Sequence, residues 1–199
     1  MFTKPAFLRF RPLCLPLGLG FVAVLAAAGG DPARLAMRYE RVGLASGELW
    51  RLITGHLVHL GWNHMAMNLA ALALLAYLLP RLMRPLDWFL AAILSALTID
   101  AGLYWLNPTV EWYVGLSGLL HGCWAAACVL AFRHGRREAW VLSSLIVLKL
   151  AYEAVRGPVS LSGQLAGGPV IEIAHLYGAA GGLLSALLTS AIRSVKRSL

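Results

Sequence analysis

The sequence predicts an all-α integral membrane protein, on three observations: composition, the length of its apolar blocks and the placing of its charges. The 199-residue chain is 59% hydrophobic and 13% charged, with a mean hydropathy of +0.71. Ordinary soluble domains are roughly 45–50% apolar and about 25% charged. The apolar residues run in blocks approaching the ~20 residues a spanning helix needs. They are rich in Leu and Ala and lack the period-2 alternation of a membrane strand. Six blocks read as spans, at residues 13–30, 57–79, 88–106, 114–132, 139–155 and 171–192, within one domain covering 1–199.

Charge orients them. Basic residues gather at Lys4, Arg9 and Arg11, at Arg81 and Arg84, at Arg133, Arg136 and Arg137, and at Arg193, Lys196 and Arg197. These are alternate connections, so the positive-inside rule makes them cytoplasmic and puts both termini inside. The segment 31–51 is a connection of mixed sign, with Arg34, Arg38 and Arg41 beside Asp31, Glu40 and Glu48. The net charge of +8 is mostly this topology signal. Its dispersal among spans argues against a nucleic-acid partner. The basic start and "AAAGG" imitate a signal-peptide cleavage region, but with five spans following, the first block reads as a retained span. Cys14, Cys123 and Cys128 read as packing residues rather than a disulfide framework.

Polar side chains inside the blocks are expensive and usually face the bundle interior or a wet cavity. In "EWYVGLSGLLHG", Ser117 sits at the mouth of the fourth block between Gly115 and Gly118. There, backbone can approach closely and a helix start leaves amide donors free. His175 opens the sixth block in "EIAHLYGAAGG", followed by the Gly178/Gly182 pair that permits close helix approach. By alternation of direction, both lie toward the extracytoplasmic side. A serine beside a histidine base is the minimum for nucleophilic catalysis, and a carboxylate is a common addition rather than a requirement. On the second block, "HLVHLGWNHMAMN" carries His56, His59, His64 and Asn68. His64 and Asn68, four apart, share a face suited to an oxyanion.

No metal or cofactor is expected: there is no His-Glu-x-x-His helix, and the histidine stretch holds no acidic residue. The Glu172/His175 pair lacks the further carboxylates of a di-iron bundle. Asp100, Lys149 and Glu153 are intramembrane charges, and Lys149 and Glu153, four apart on one face, read as a satisfied structural pair rather than a proton relay.

The order "HLVHLGWNHMAMN", "GLSG", "AHLYGAAGG" on blocks two, four and six resembles the rhomboid intramembrane serine proteases, over roughly Trp50 to Leu188. "WRLITGHLVH", with Trp50, Arg51 and His59, has the same look. The resemblance implies a six-helix rhomboid-like bundle with Ser117 as nucleophile, His175 as base, and His64 and Asn68 in the oxyanion hole. Where many rhomboids carry an aromatic, usually tyrosine, four residues after the nucleophile, this chain has His121. It would either stack on His175 as a neutral imidazole or tune its basicity by proximity.

That detail and the short chain resemble the bacterial rhombosortase subgroup. Its substrates are associated with a C-terminal Gly-Gly motif, an apolar span and a basic tail. The expectation is thus a multi-pass serine endopeptidase, in a bacterial inner membrane, acting on membrane-anchored proteins within the lipid bilayer. The rivals are a catalytically silent rhomboid-like protein that binds membrane helices and a histidine-lined metal or ion carrier.

Overall fold

The computed structural model describes residues 13–79, 82–157 and 160–198. The basic residues Lys4, Arg9, Arg11 and Arg81, and the side chains of Lys196 and Arg197, lie outside what it describes. In chain order the elements are α1 (Cys14–Ala28), α2 (Gly30–Met37), β1 (Tyr39–Glu40), α3 (Arg41–Ala45), α4 (Arg51–Thr54) and α5 (Trp62–Leu78). Then follow α6 (Pro85–Ala101), β2 (Trp112–Tyr113), α7 (Ser117–Arg133), α8 (Glu138–Arg156), α9 (Ser160–Ala166) and α10 (Ile173–Ser198). The all-α reading holds: among the described residues the strands are a single antiparallel pair, Tyr39 opposite Tyr113.

Large apolar side chains point outward from several helices, including Phe21 and Leu25 on α1, Leu74 and Tyr77 on α5, Phe89 and Leu97 on α6, and Leu145 and Leu148 on α8. Such a surface is costly in water and suited to lipid. Among the described residues, two helices are long and apolar enough to cross a bilayer, Pro85–Leu106 and Ile173–Val195. A third span is formed if α1 and α2, bent by 118°, count as one broken span. α5 and α7 have 17 residues each, and α8 carries Glu138, Lys149, Glu153 and Arg156 along its length.

α7 is the central helix. Twelve of its 17 residues are buried, and α6, α8 and α10 pack around it. Glycine allows this. A Cβ on Gly178 would lie 2.0 Å from the Gly118 carbonyl oxygen, and one on Gly182 1.9 Å from that of Gly122. The backbones of α7 and α10 therefore touch where any side chain would separate them. α6 is tied to the same place, with Ser95 donating to the Gly178 carbonyl at 3.0 Å and Thr98 to that of Tyr177 at 2.8 Å. At its start, Pro85 takes the first helical position and Asp87 accepts the Arg84 amide at 2.7 Å. Asp87 also receives Arg193 at 2.5 Å and 2.6 Å, which ties the start of α6 to α10.

The segment 31–51, read from sequence as a connection, is itself ordered. Buried Arg51 donates to the Leu35 and Arg38 carbonyls, each at 2.9 Å, and to Glu48 at 2.5 Å. Thr54 donates to the Met37 carbonyl at 2.5 Å. Arg41 reaches the Leu103 and Tyr104 carbonyls at 3.0 Å and 2.8 Å, where α6 widens into a π-helical turn over Gly102–Leu106. Carbonyls that lose their regular helical partners in such a turn need donors from elsewhere. This connection matters because the β1–β2 pair and the Gly115 amide, which donates to the Gly55 carbonyl at 3.1 Å, anchor the chain just before Ser117.

Candidate active site

Ser117 is the first residue of α7, and the turn that delivers it depends on Gly115. Gly115 has φ +124°, a region side chains disfavour. A Cβ there would also stand 2.9 Å from the His64 ring. Both backbone polar groups of Gly115 are held: its amide by Gly55, as above, and its carbonyl by the Tyr113 hydroxyl at 2.7 Å. Burial pushes the Tyr113 phenol up, so the hydroxyl keeps the proton it donates.

The helix contact at Gly118 and Gly178 brings His175, on the first turn of α10, alongside. Ser117 Oγ lies 2.9 Å from His175 Nε2. On the far side of the ring, His175 Nδ1 lies 3.0 Å from Glu153 Oε2. The other carboxylate oxygen of Glu153 receives Lys149 Nζ at 2.5 Å. The His121 ring stacks on His175, with centroids 4.2 Å apart and planes within 18°. His121 Nδ1 lies 2.7 Å from the Ser117 carbonyl oxygen. Since a carbonyl only accepts, Nδ1 carries the proton there, and in a neutral ring Nε2 is bare.

α5 supplies the opposite wall. His64 Nδ1 accepts the Leu60 amide at 3.3 Å, which leaves the proton of a neutral ring on Nε2. Asn68 donates one amide hydrogen to the His64 carbonyl at 3.1 Å and keeps a second. Both side chains line a cleft of about 340 Å³ with Ser117, His121, Lys149, Glu153 and His175. Met67 and Ala71 from α5, and Leu165, Ala166 and Val170 from the segment before α10, supply its apolar wall. His59 is not at the cleft surface; it packs edge-on behind His64, centroids 5.1 Å apart. His56 stands elsewhere, its Nε2 3.4 Å from Asp100 Oδ1.

Chemically, the arrangement offers a hydroxyl with a base in hydrogen-bond reach, a carboxylate behind the base, and amide and imidazole donors across a mostly apolar cleft. His121, Glu153 and His175 also each present a ligand atom, all within 4.8 Å. Glu153, however, is already paired with an ammonium group and both His175 nitrogens are engaged. A metal ion there would face a like charge and break two bonds.

Sequence reasoning named Ser117, His175, His64, Asn68 and His121, and the fold gathers all five around one cleft. It missed Glu153 as a neighbour of His175, and Tyr113 as the brace on Gly115. Glu153 did carry a signal, a charged residue in an apolar block, but the pairing with Lys149 absorbed it.

A model of the rhomboid domain matches residues 46–192. The chain belongs to the rhomboid family. It is an integral membrane protein with apolar helices, as membership of that family requires. Over 147 residues it is 27% identical to "Putative rhomboid protease YdcA" of Bacillus subtilis (strain 168), an overlap covering 74% of this chain and 70% of that relative.

Proposed function

We propose that this rhomboid is an intramembrane serine endopeptidase in which Ser117 is the nucleophile and His175 the base. The observation that carries the reading is the 2.9 Å approach of Ser117 Oγ to His175 Nε2 in the lining of one cleft. Similarity to a relative named as a rhomboid protease supports the reaction class.

The reaction follows from the geometry. Ser117 Oγ attacks the carbonyl carbon of the scissile peptide while its proton passes to His175 Nε2. The oxyanion that forms is met by the second Asn68 amide hydrogen, the His64 Nε2–H and the Ser117 amide. Collapse breaks the C–N bond, and the leaving amine takes the proton from Nε2. Water then attacks the acyl ester, giving its proton to the same nitrogen, and Ser117 leaves with that proton as the carboxylic acid departs. A silent helix-binding protein would have no use for a base poised on a serine hydroxyl. A metal carrier would gain little from a carboxylate already paired with Lys149.

The proposal extends to topology and substrate. Six spans in one domain, with both termini cytoplasmic, put the cleft on the extracytoplasmic side of a bacterial inner membrane. The substrates are membrane-anchored proteins of the rhombosortase type, with a C-terminal Gly-Gly step before an apolar span and basic tail. A spanning helix must unwind before its backbone can be cut, and each glycine makes that cheaper by about 1 kcal/mol relative to alanine. Co-expression with such a substrate, following loss of the anchor by mass spectrometry, tests this. The Gly-Gly version is expected to be processed by wild type and not by Ser117→Ala. Equal cleavage after replacing both glycines with leucine would remove the glycine preference and leave a general membrane endopeptidase.

A further inference from the structure

We infer that Glu153 is the positioning residue for His175, so that the working unit is Ser117–His175–Glu153, with Lys149 keeping the carboxylate charged. This rests on the reading of Ser117 and His175 as nucleophile and base, and deepens it.

His175 Nε2 can accept the Ser117 proton only if the neutral ring carries its own proton on Nδ1. Glu153 Oε2, 3.0 Å from Nδ1, accepts that N–H and selects this tautomer. The same contact fixes the ring plane, already stacked on one face by His121. When Nε2 receives the proton, the ring becomes an imidazolium whose charge faces the carboxylate across the Nδ1–H bond. The proton stays on the ring; Glu153 does not take it.

The cost of placing Glu153 there also points to a task. An ionised carboxylate carried into an apolar helix must be paired, and Lys149 at 2.5 Å is its partner. Yet the two side chains differ in placement. Lys149 stands at the rim with its side chain 36% exposed, whereas that of Glu153 is 6% exposed and turned inward to His175. A pair serving only each other's charge could sit wholly at the rim, where water lowers the cost of both. Burial of the acid alone is what alignment of the imidazole requires.

A fluorophosphonate probe tests this on the full chain in detergent, because its reaction needs only the serine and its base. Ser117 Oγ bonds to phosphorus, fluoride leaves, and the hydroxyl proton goes to His175 Nε2. Glu153→Gln is expected to lower the maximal labelling rate by about 10²–10⁴-fold while leaving the half-saturating probe concentration unchanged. Glu153→Asp, which restores the charge on a shorter arm, should label faster than Glu153→Gln.

The deciding variant is Lys149→Met with Glu153→Gln, which leaves no unpaired charge and removes the reason for misfolding. Its rate should stay as low as that of Glu153→Gln alone. Recovery to the wild-type rate in that double variant, or a wild-type rate in Glu153→Gln, would show that Glu153 serves only to neutralise Lys149. If His175→Ala is silent while Glu153→Gln is normal, the Ser–His reading survives and this inference alone falls. If His175→Ala labels normally, the Ser–His reading itself has failed.

Discussion

His175 and His56 are both buried against a carboxylate, Glu153 at 3.0 Å for the first and Asp100 at 3.4 Å for the second. The pairs part company in what surrounds them. His175 has a serine hydroxyl on its second nitrogen, a stacked ring on its face and a cleft at its edge. His56 has the edge of Tyr113, centroids 5.6 Å apart, and neither ring nitrogen makes a hydrogen bond within the usual geometry. It is absent from the cleft lining. A buried histidine–carboxylate pair is thus not a site by itself. The third partner and the access route set the His175 pair apart from the His56 pair, and both depend on the glycine contacts that set α10 against α7.

The largest effect is expected on removing the groups that only the first pair has. Ser117→Ala and His175→Ala are each expected to abolish substrate cleavage, and the double variant to be no worse, since residues acting as a unit do not add. Measured turnover of anchored substrate by either variant would put His175 in the same class as His56.

Across the cleft, His64→Ala and Asn68→Ala should each lower turnover by about 10²–10³-fold, the loss found for one oxyanion donor. Activity persists because the Ser117 amide remains. Unchanged turnover in Asn68→Ala would assign that amide to its bond with the His64 carbonyl.

Gly178→Ala should act at the distance between helices. Its new methyl would start 2.0 Å from the Gly118 carbonyl oxygen, so α10 must move. A displacement near 1 Å at the reacting atoms costs about 10²-fold, and the labelling rate of folded protein reads it.

The smallest effect on chemistry is expected at the other pair. Asp100→Asn should lower the thermal midpoint, with a cost of about 1–3 kcal/mol for disturbing a buried polar contact, while folded protein keeps its labelling rate. A large fall in rate with an unchanged midpoint would mean that His56 governs the Tyr113–Gly115 turn more tightly than its spacing suggests.

What could be read in advance follows from how local each feature is. Block hydropathy carries the all-α membrane class. Short contiguous strings carry Ser117 with its glycines, His64 with Asn68, and His175 with Gly178 and Gly182. Glu153 was legible only as a partner for Lys149, because its contact with His175 depends on the rotation of α8 against α10, which no helical spacing encodes. The ordered connection around Arg51 was hidden for a similar reason. Its bonds run from side chains to carbonyls that are distant in sequence, and a run of mixed charge looks the same whether it is solvated or folded. α5 begins at Trp62, inside the second apolar block, because 55–61 is spent on the turn that places His56 and His59.

A nucleophilic Ser117 activated by His175 should form a covalent adduct that depends on both residues. Peptide mapping of the full chain after reaction with a fluorophosphonate probe tests it most directly. One adduct is expected, on Ser117, absent in Ser117→Ala and lost in His175→Ala. An adduct on another residue, or labelling of His175→Ala at the wild-type rate, would contradict it.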